Sequence, residues 1–199
     1  MANIKSGASS DLWSIDAASK AGRVTLYDAR GNPLGMKASY AASQNNTAST
    51  AGTGIFAAII GSASKVVRVQ RIVIFGTCAT AAIGVPIGLA YRTSPSASAS
   101  STLTNVSKDS SSGAGTATVK YYTTNGTAGT GGGLICTQTI YLPTASTDAV
   151  RLETIFEWGT QQMGEPPVLR GVTQALELNF GITTTNAPTL AVTFEWTEE

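Results

Sequence analysis

The sequence predicts an all-β protein, a jelly-roll-like antiparallel β-sandwich of about eight strands with an extended N-terminal arm. Two C-terminal segments, residues 150–158 and 190–196, largely alternate apolar and polar residues, which is the period of a half-buried strand. Only 13% of the residues are charged, and Gly, Ala, Ser and Thr are abundant. That composition suits closely packed sheets better than long helices. With 199 residues, the chain is long enough for one main core.

Eight segments of the main body have the character of strands, which is the strand count of a jelly roll. They are residues 55–60, 65–75, 82–91, 116–123, 134–142, 150–158, 173–180 and 189–196. In the second segment, the alternation of apolar residues slips by one position at Gln70 and Arg71. Such a slip is typical of a β-bulge, so we expect the strand to bend there. The Ser-rich stretch between residues 91 and 116 and the Gly-rich residues 125–133 are predicted to be exposed loops.

The N-terminal quarter of the chain differs from the main body. Residues 1–22 are polar and irregular, which predicts an extended arm. Residues 23–28 alternate as a short strand and are followed by Asp, Gly, Asn and Pro, the residues of a tight turn, so a small hairpin is expected. Residues 37–54 are mostly small and polar, which favours a linker or a long surface loop. The predicted regions are therefore an arm with hairpin and linker over residues 1–52 and a sandwich over residues 53–199.

The low net charge argues against two classes of partner. A formal charge of +1 provides no field that would gather nucleic acid or anionic lipid, since phosphate binding needs clustered Lys and Arg. Residues 72–91 carry no charge and have the length of a membrane-spanning helix. However, Gly76, Gly84 and Pro86 interrupt this stretch and its β-branched start favours a strand. We therefore predict two buried strands, with no nucleic-acid partner and no membrane partner.

The N-terminus and the two cysteines suggest where the protein is made. No apolar run follows Lys5, so we expect no signal peptide and synthesis in a reducing cytoplasm. Cys78 and Cys136 lie in different predicted strands, and their spacing resembles neither a metal site nor a redox pair. They are expected to be small buried residues.

The sequence does not predict an enzyme. It contains no histidine, so a nucleophilic serine would need a buried Lys or carboxylate as its base, and neither Lys108 nor Lys120 lies in a recognisable motif. Glu153 and Glu157 share one strand face but lie about 13 Å apart, too far for a retaining glycosidase pair. The glycines of residues 129–133 lack the Lys-Ser/Thr of a phosphate loop. We therefore predict no catalytic, cofactor-binding or metal-binding residues and no cofactor.

Apolar side chains on the arm are the candidate interface residues. An apolar residue without a core of its own must be buried against the sandwich or against another chain, and we favour another chain. The predicted arm anchors are Ile4, Leu12, Trp13 and Ile15, and Leu26 and Tyr27 belong to the predicted interchain hairpin. By contrast, the aromatic residues Trp158, Phe180, Phe194 and Trp196 fall on inward strand phases and are core candidates.

Several segments resemble small virion structural proteins of tailed bacteriophages. They are residues 9–12 and 18–28, residues 67–72, residues 167–172 and residues 194–199. The resemblance implies a component of the phage particle and, together with the predicted architecture, a capsid decoration or cement protein. Proteins of that kind commonly form trimers. The implied partners are the chain itself, as a homotrimer, and the major capsid protein, and the implied location is the outer surface of the phage head after synthesis in the host cytoplasm.

Two alternatives remain open at the level of sequence. The first is a tail, collar or fibre-base structural protein, which would also be β-rich but present in few copies. The second is a β-sandwich that attaches the virion to host glycans through exposed aromatic side chains. The candidate aromatics for glycan binding are Tyr40, Tyr91, Tyr121 and Tyr122.

Overall fold

The computed structural model describes residues 14–15, 22–23, 37–48, 53–78, 83–110, 112–144, 154–158, 164–180 and 188–199. These residues form fourteen strands and, within the described ranges, no helix. The strands are β1 (Ser14–Ile15), β2 (Gly22–Arg23), β3 (Ala38–Ala48), β4 (Gly54–Ile60), β5 (Val66–Cys78), β6 (Ile83–Arg92), β7 (Ser101–Thr102), β8 (Val106–Ser107), β9 (Thr118–Gly126), β10 (Gly133–Leu142), β11 (Thr154–Glu157), β12 (Val168–Arg170), β13 (Ala175–Phe180) and β14 (Pro188–Glu198). Residues Met1–Lys37 and Ala38–Glu199 are two separate compact units.

The unit Ala38–Glu199 contains two antiparallel sheets. The first sheet has the strand order β10-β6-β13-β4-β9-β7, and the second has the order β11-β5-β14-β3-β8, with β12 also paired to β5. Buried side chains of both sheets join in one hydrophobic cluster, to which the first sheet contributes Phe56 and Leu178 and the second Ile72 and Phe194. Since each sheet buries one face in this shared core, the prediction of an all-β sandwich is confirmed.

The chain crosses between the two sheets at most of its long connections. Strands β3, β5, β11 and β14 belong to the second sheet, and β4, β6, β10 and β13 belong to the first. Neighbours in each sheet are therefore distant in sequence, as in the Greek-key sandwiches that include jelly rolls. These crossings support the jelly-roll detail, which stays a prediction.

The predicted strands of the main body are present. Each of the eight predicted segments overlaps a strand, and the predicted core aromatics Trp158, Phe180, Phe194 and Trp196 are buried. The bulge in β5 is also confirmed. Arg71 pairs with Glu195 while Val69 pairs with Trp196, so Gln70 is the extra residue. Because of the bulge, Val67 and Val69 before it and Ile72 and Ile74 after it are all buried on the core face of β5.

The predicted linker over residues 37–54 is wrong where it overlaps β3. Ala38–Ala48 is an eleven-residue strand that pairs with β14. Tyr40 and Ala42 are its buried apolar residues, and the Tyr40 ring stacks on Trp196 with 5.8 Å between ring centroids. Small polar residues suffice for the rest of the strand because its backbone is held by the β14 ladder. The unit that holds both sheets therefore starts at Ala38 rather than at residue 53.

The uncharged stretch of residues 72–91 divides between the two sheets. Its first part lies in β5, which ends at Cys78, and its second part lies in β6, which begins at Ile83. Two buried strands were predicted here, and their core-facing residues are fully buried, as Ile74 and Leu89 illustrate. Within the described ranges, no helix has the length and apolar character needed to cross a membrane.

Candidate functional site

Most of the predicted interface residues lie outside the part of the chain that the structure describes. This applies to Ile4, Leu12, Trp13, Leu26 and Tyr27. Ile15 lies in β1, where its backbone pairs with Gly22 of β2 in an antiparallel ladder. The predicted hairpin beyond Arg23 also lies outside the described residues. The role of the arm as an interface therefore stays a prediction.

A buried carboxylate near the C-terminus holds the start of β9. Glu198 is 4% exposed and accepts hydrogen bonds from the backbone N–H groups of Thr116 (2.8 Å) and Ala117 (2.9 Å), the Thr116 hydroxyl (2.8 Å) and the Trp196 indole N–H (2.9 Å). The Thr116 hydroxyl also lies 2.7 Å from the Ser62 hydroxyl. Because its charge is surrounded by donors, burial of this carboxylate is compensated. Glu198 therefore fixes the segment that leads into β9.

A second buried carboxylate fixes two loops over the outer face of the first sheet. Glu177 is fully buried and accepts hydrogen bonds from Arg92 Nε (3.2 Å), Ser96 N–H (2.9 Å) and Gly129 N–H (3.0 Å). Its neighbours Leu176 and Leu178 face the core, so Glu177 points to the opposite face of β13. Its cross-strand partners are both alanines, which leave room for the carboxylate.

The sequence analysis identified neither buried carboxylate. Both lie on strands, where an acidic residue between apolar neighbours is normally a solvent-facing charge. Their backbone N–H donors come from loops that are 48 to 82 residues away in the chain, so no local pattern reveals them. Within the described residues, no group of three or more His, Cys, Asp or Glu side chains is placed to hold a metal ion. The arrangement around Glu177 and Glu198 is that of structural anchors with their oxygens occupied.

The two cysteines are free thiols. Cys78 is fully buried and Cys136 is half-buried against the core. Burial raises the pKa of both thiols above its ordinary value. A raised pKa lowers the thiolate fraction at neutral pH, and the thiolate is the nucleophile. The predicted burial is confirmed for Cys78, whereas Cys136 is only half-buried.

Among the described residues, β10 (Gly133–Leu142) forms an edge of the first sheet. β10 ends the strand order of the first sheet, and within the described residues no named strand pairs with its outer side. Its sequence, GLICTQTIYL, is ten residues long and contains neither a charged residue nor proline. Proteins usually protect such edges with charges, proline or short strands, because a free row of N–H and C=O groups recruits other strands. We call Gly133–Leu142, with its unpaired side, the β10 edge.

Exposed apolar side chains concentrate on the β10 edge. Among the described residues, five large hydrophobic side chains are exposed, and three of them are Leu134 (62%), Ile135 (43%) and Tyr141 (48%). The β6 residues beside them are small: Tyr141 pairs with Gly84, and Leu134 lies against Gly88. The outer face is therefore flat here, and the apolar side chains project from it. Exposed apolar side chains along one sheet edge indicate an interaction site.

The other sheet edges are shorter or partly covered. In the second sheet, β11 has four residues and β12 three, and β8 covers β3 at Tyr40 and Ala41. In the first sheet, β7 covers β9 at Lys120 and Tyr121. A groove of about 500 Å³ lies beside β3, lined by Ala41, Ser43, Gln44, Thr102, Leu103, Thr104 and Val106. Its lining contains no charged residue.

The proposed glycan-stacking tyrosines are mostly inaccessible. Tyr40, Tyr121 and Tyr122 are buried, and Tyr91 is partly buried against the core. Burial raises the pKa of Tyr121 to about 12. Tyr121 and Tyr122 point to opposite faces of β9. Tyr121 is buried in the shared core, and Tyr122 is buried on the outer face, where Ser96 and Ser98 lie close to it. The prediction that these tyrosines form an exposed binding face is therefore wrong for three of the four.

Comparisons with protein-family models, with curated proteins and with solved structures found no match for this chain.

Proposed function

We propose that this protein is a structural component of a bacteriophage virion, a capsid decoration protein that binds the outside of the head as a trimer and stabilises the shell. The observation that carries the proposal is the β10 edge, which combines exposed apolar side chains with a strand side that no other described strand pairs with. A monomeric protein usually protects such an edge, whereas a subunit of an assembly buries it.

The segments that resemble phage virion proteins support the proposal through their arrangement. Three of them lie on neighbouring strands of the second sheet: residues 67–72 on β5, residues 167–172 on β12 and residues 194–199 on β14. The Arg68 guanidinium donates to the Glu199 carboxylate and joins two of these segments. These three segments therefore form one continuous part of the second sheet.

The proposed action is mechanical. Each decoration subunit adds contacts with the major capsid protein and with its own copies, at about 800 Å² per partner for a standard interface. Binding energy that is available only on the assembled shell stabilises that shell against internal pressure and heat. The arm would contribute anchors such as Leu12 and Trp13, while the sandwich, fixed by Glu177 and Glu198, would serve as a rigid body.

Cryo-electron microscopy of purified particles of the phage that encodes this chain tests the proposal. Density for the sandwich in many copies on the head lattice is expected. A few copies at the tail, collar or fibre base would favour the alternative role, and absence from the particle would overturn both. Deletion of residues 1–22 is expected to abolish binding to expanded heads while circular dichroism still shows a folded sandwich. Retained binding by the truncated chain would exclude the arm anchors.

A further inference from the structure

The β10 edge is suited to one partner strand in particular, a second copy of itself. We propose that two copies of this protein associate through their β10 strands in an antiparallel, two-fold arrangement centred on Gln138, which joins their first sheets into one continuous sheet. The inference concerns the partner of the surface described above and does not depend on the trimer. It rests on the alternation of side chains along β10 and on the absence of charge from its sequence.

The side chains of β10 alternate between the two faces of the sheet. Cys136, Gln138 and Ile140 pair with core-facing residues of β6, and Ile140 is buried. Thr137 and Thr139 are exposed on the outer face together with Ile135 and Tyr141. A two-fold axis perpendicular to the sheet keeps the outer faces of both copies on the same side. An antiparallel partner strand therefore places outer residues opposite outer residues.

Centring the axis on Gln138 matches like with like along the strand. Thr137 then lies opposite the partner's Thr139, and Ile135 lies opposite the partner's Tyr141. On the inner face, Cys136 lies opposite the partner's Ile140. Aromatic residues beside β-branched ones and threonine beside threonine are stabilising cross-strand pairs. No charge is placed opposite another, because β10 has none.

The neighbouring registers fit less well. Centring on Thr137 places Tyr141 opposite the partner's Gly133, which has no side chain to contact the ring. Centring on Thr139 places Tyr141 opposite the partner's Thr137 and Gln138 opposite the partner's Ile140. A shift of the register by one residue would place outer side chains of one copy opposite inner side chains of the other, so the buried faces of the two sheets would not match. The hydrophobic pattern thus selects the register centred on Gln138.

The bulge in β10 marks one end of the contact. The pairing with β6 shifts between Leu134 and Cys136, so Ile135 is the extra residue. Leu134 consequently faces outward beside Ile135 and widens the apolar surface at that end. Five residues, 136–140, remain available for regular pairing on both copies, with Ile135 and Tyr141 flanking them, and this is a typical strand length.

A cysteine cross-link tests the register. In Gln138→Cys, made in a Cys136→Ala background, the new thiol faces its symmetry mate with Cα atoms about 4.5–5.5 Å apart, within the range of a disulfide. Mild oxidation is expected to yield a covalent dimer on non-reducing gels. The matched control is Thr137→Cys in the same background, whose symmetry mate is displaced by about 7 Å along the strand and should not cross-link. Cross-linking of both variants, or of neither, would overturn the proposed register.

Light scattering tests the association itself. Thr137→Lys with Thr139→Lys places like charges opposite each other in the proposed pair, and both side chains are exposed in the single chain. The mass of the wild type is expected to be twice that of this double variant. The control, Thr104→Lys with Thr127→Lys, adds the same charge at exposed threonines elsewhere and should keep the wild-type mass. Equal masses for wild type and the β10 variant would overturn the inference.

The two proposals fail separately. If the arm makes a trimer, removal of residues 1–22 is expected to lower the mass of the assembly threefold. Thr137→Lys with Thr139→Lys is expected to lower it twofold. If only the lysine variant lowers the mass, the β10 pairing is supported and the trimer built by the arm is excluded.

Discussion

Replacement of Glu198 is the sharpest test of how the sandwich is held together. In Glu198→Ala, two backbone N–H groups and the Trp196 indole N–H lose a charged acceptor in a site that is 4% exposed. Each buried donor left without an acceptor costs about 1–3 kcal/mol, and part of this is recovered if water enters. We therefore expect a loss of about 3–5 kcal/mol in the free energy of unfolding.

Glu198→Gln should cost much less, because the geometry leaves an acceptor in place. One carboxylate oxygen, Oε1, accepts from Thr116 N–H, Ala117 N–H and the Trp196 indole. The other oxygen, Oε2, accepts from the Thr116 hydroxyl, which can instead accept from an amide. Oε2 also shares the Thr116 N–H at 3.0 Å, and an amide nitrogen cannot accept that bond. The charge assistance and this shared contact are lost while Oε1 keeps its three donors, so we expect about 1–2 kcal/mol.

Urea unfolding followed by tryptophan fluorescence measures both effects. With a slope of about 2 kcal/mol per molar urea, Glu198→Ala should lower the midpoint by about 2 M with little change in slope. Glu195→Ala is the matched control on the same strand. Its side chain is 25% exposed and its ion pair with Lys108 spans 2.7 Å, so its loss should cost under about 1 kcal/mol. Equal costs for the two alanine variants, or a cost below about 1 kcal/mol for Glu198→Ala, would refute the reasoning.

Three further predictions concern a turn, two loops and alkaline pH. Gly132→Ala should lower the free energy of unfolding by about 1–3 kcal/mol, measured by thermal or urea unfolding, because φ is +70° and the new Cβ would lie 2.2 Å from a backbone oxygen. In the control Gly133→Ala the new Cβ meets open space, so the loss should stay under about 1 kcal/mol. Glu177→Ala should speed hydrogen exchange at residues 96 and 129, whose N–H groups it holds, and leave exchange in β14 unchanged. Stability should fall as pH rises from 10 to 12, because the unfolded Tyr121 ionises near 10 while burial raises the folded pKa to about 12; a flat melting temperature over that range would contradict this.

Several features of the fold could be predicted from local pattern. The bulge at Gln70 is an example, since a change in the phase of apolar residues along one strand is visible without knowing its neighbours. Strand β3 could not be predicted, because only two of its described residues, Tyr40 and Ala42, are buried and apolar. Its identity as a strand depends on the β14 ladder beside it. The tyrosines of β9 were misassigned for a similar reason: a loop covers the face that alternation would leave exposed.

The sequence by itself determined the all-β class, the main strands and the inward aromatics, since side-chain alternation is a property of a single strand. The tertiary structure alone decided which strand became an edge and which carboxylates became buried. The sequence of β10 has the same strand pattern as the other strands. Its exposed Leu134 and Tyr141 indicate an interaction surface only because β10 lies at the end of the strand order. Likewise, Glu177 and Glu198 meet donors from loops far away in the chain, and contacts at that separation leave no periodic signal in the sequence.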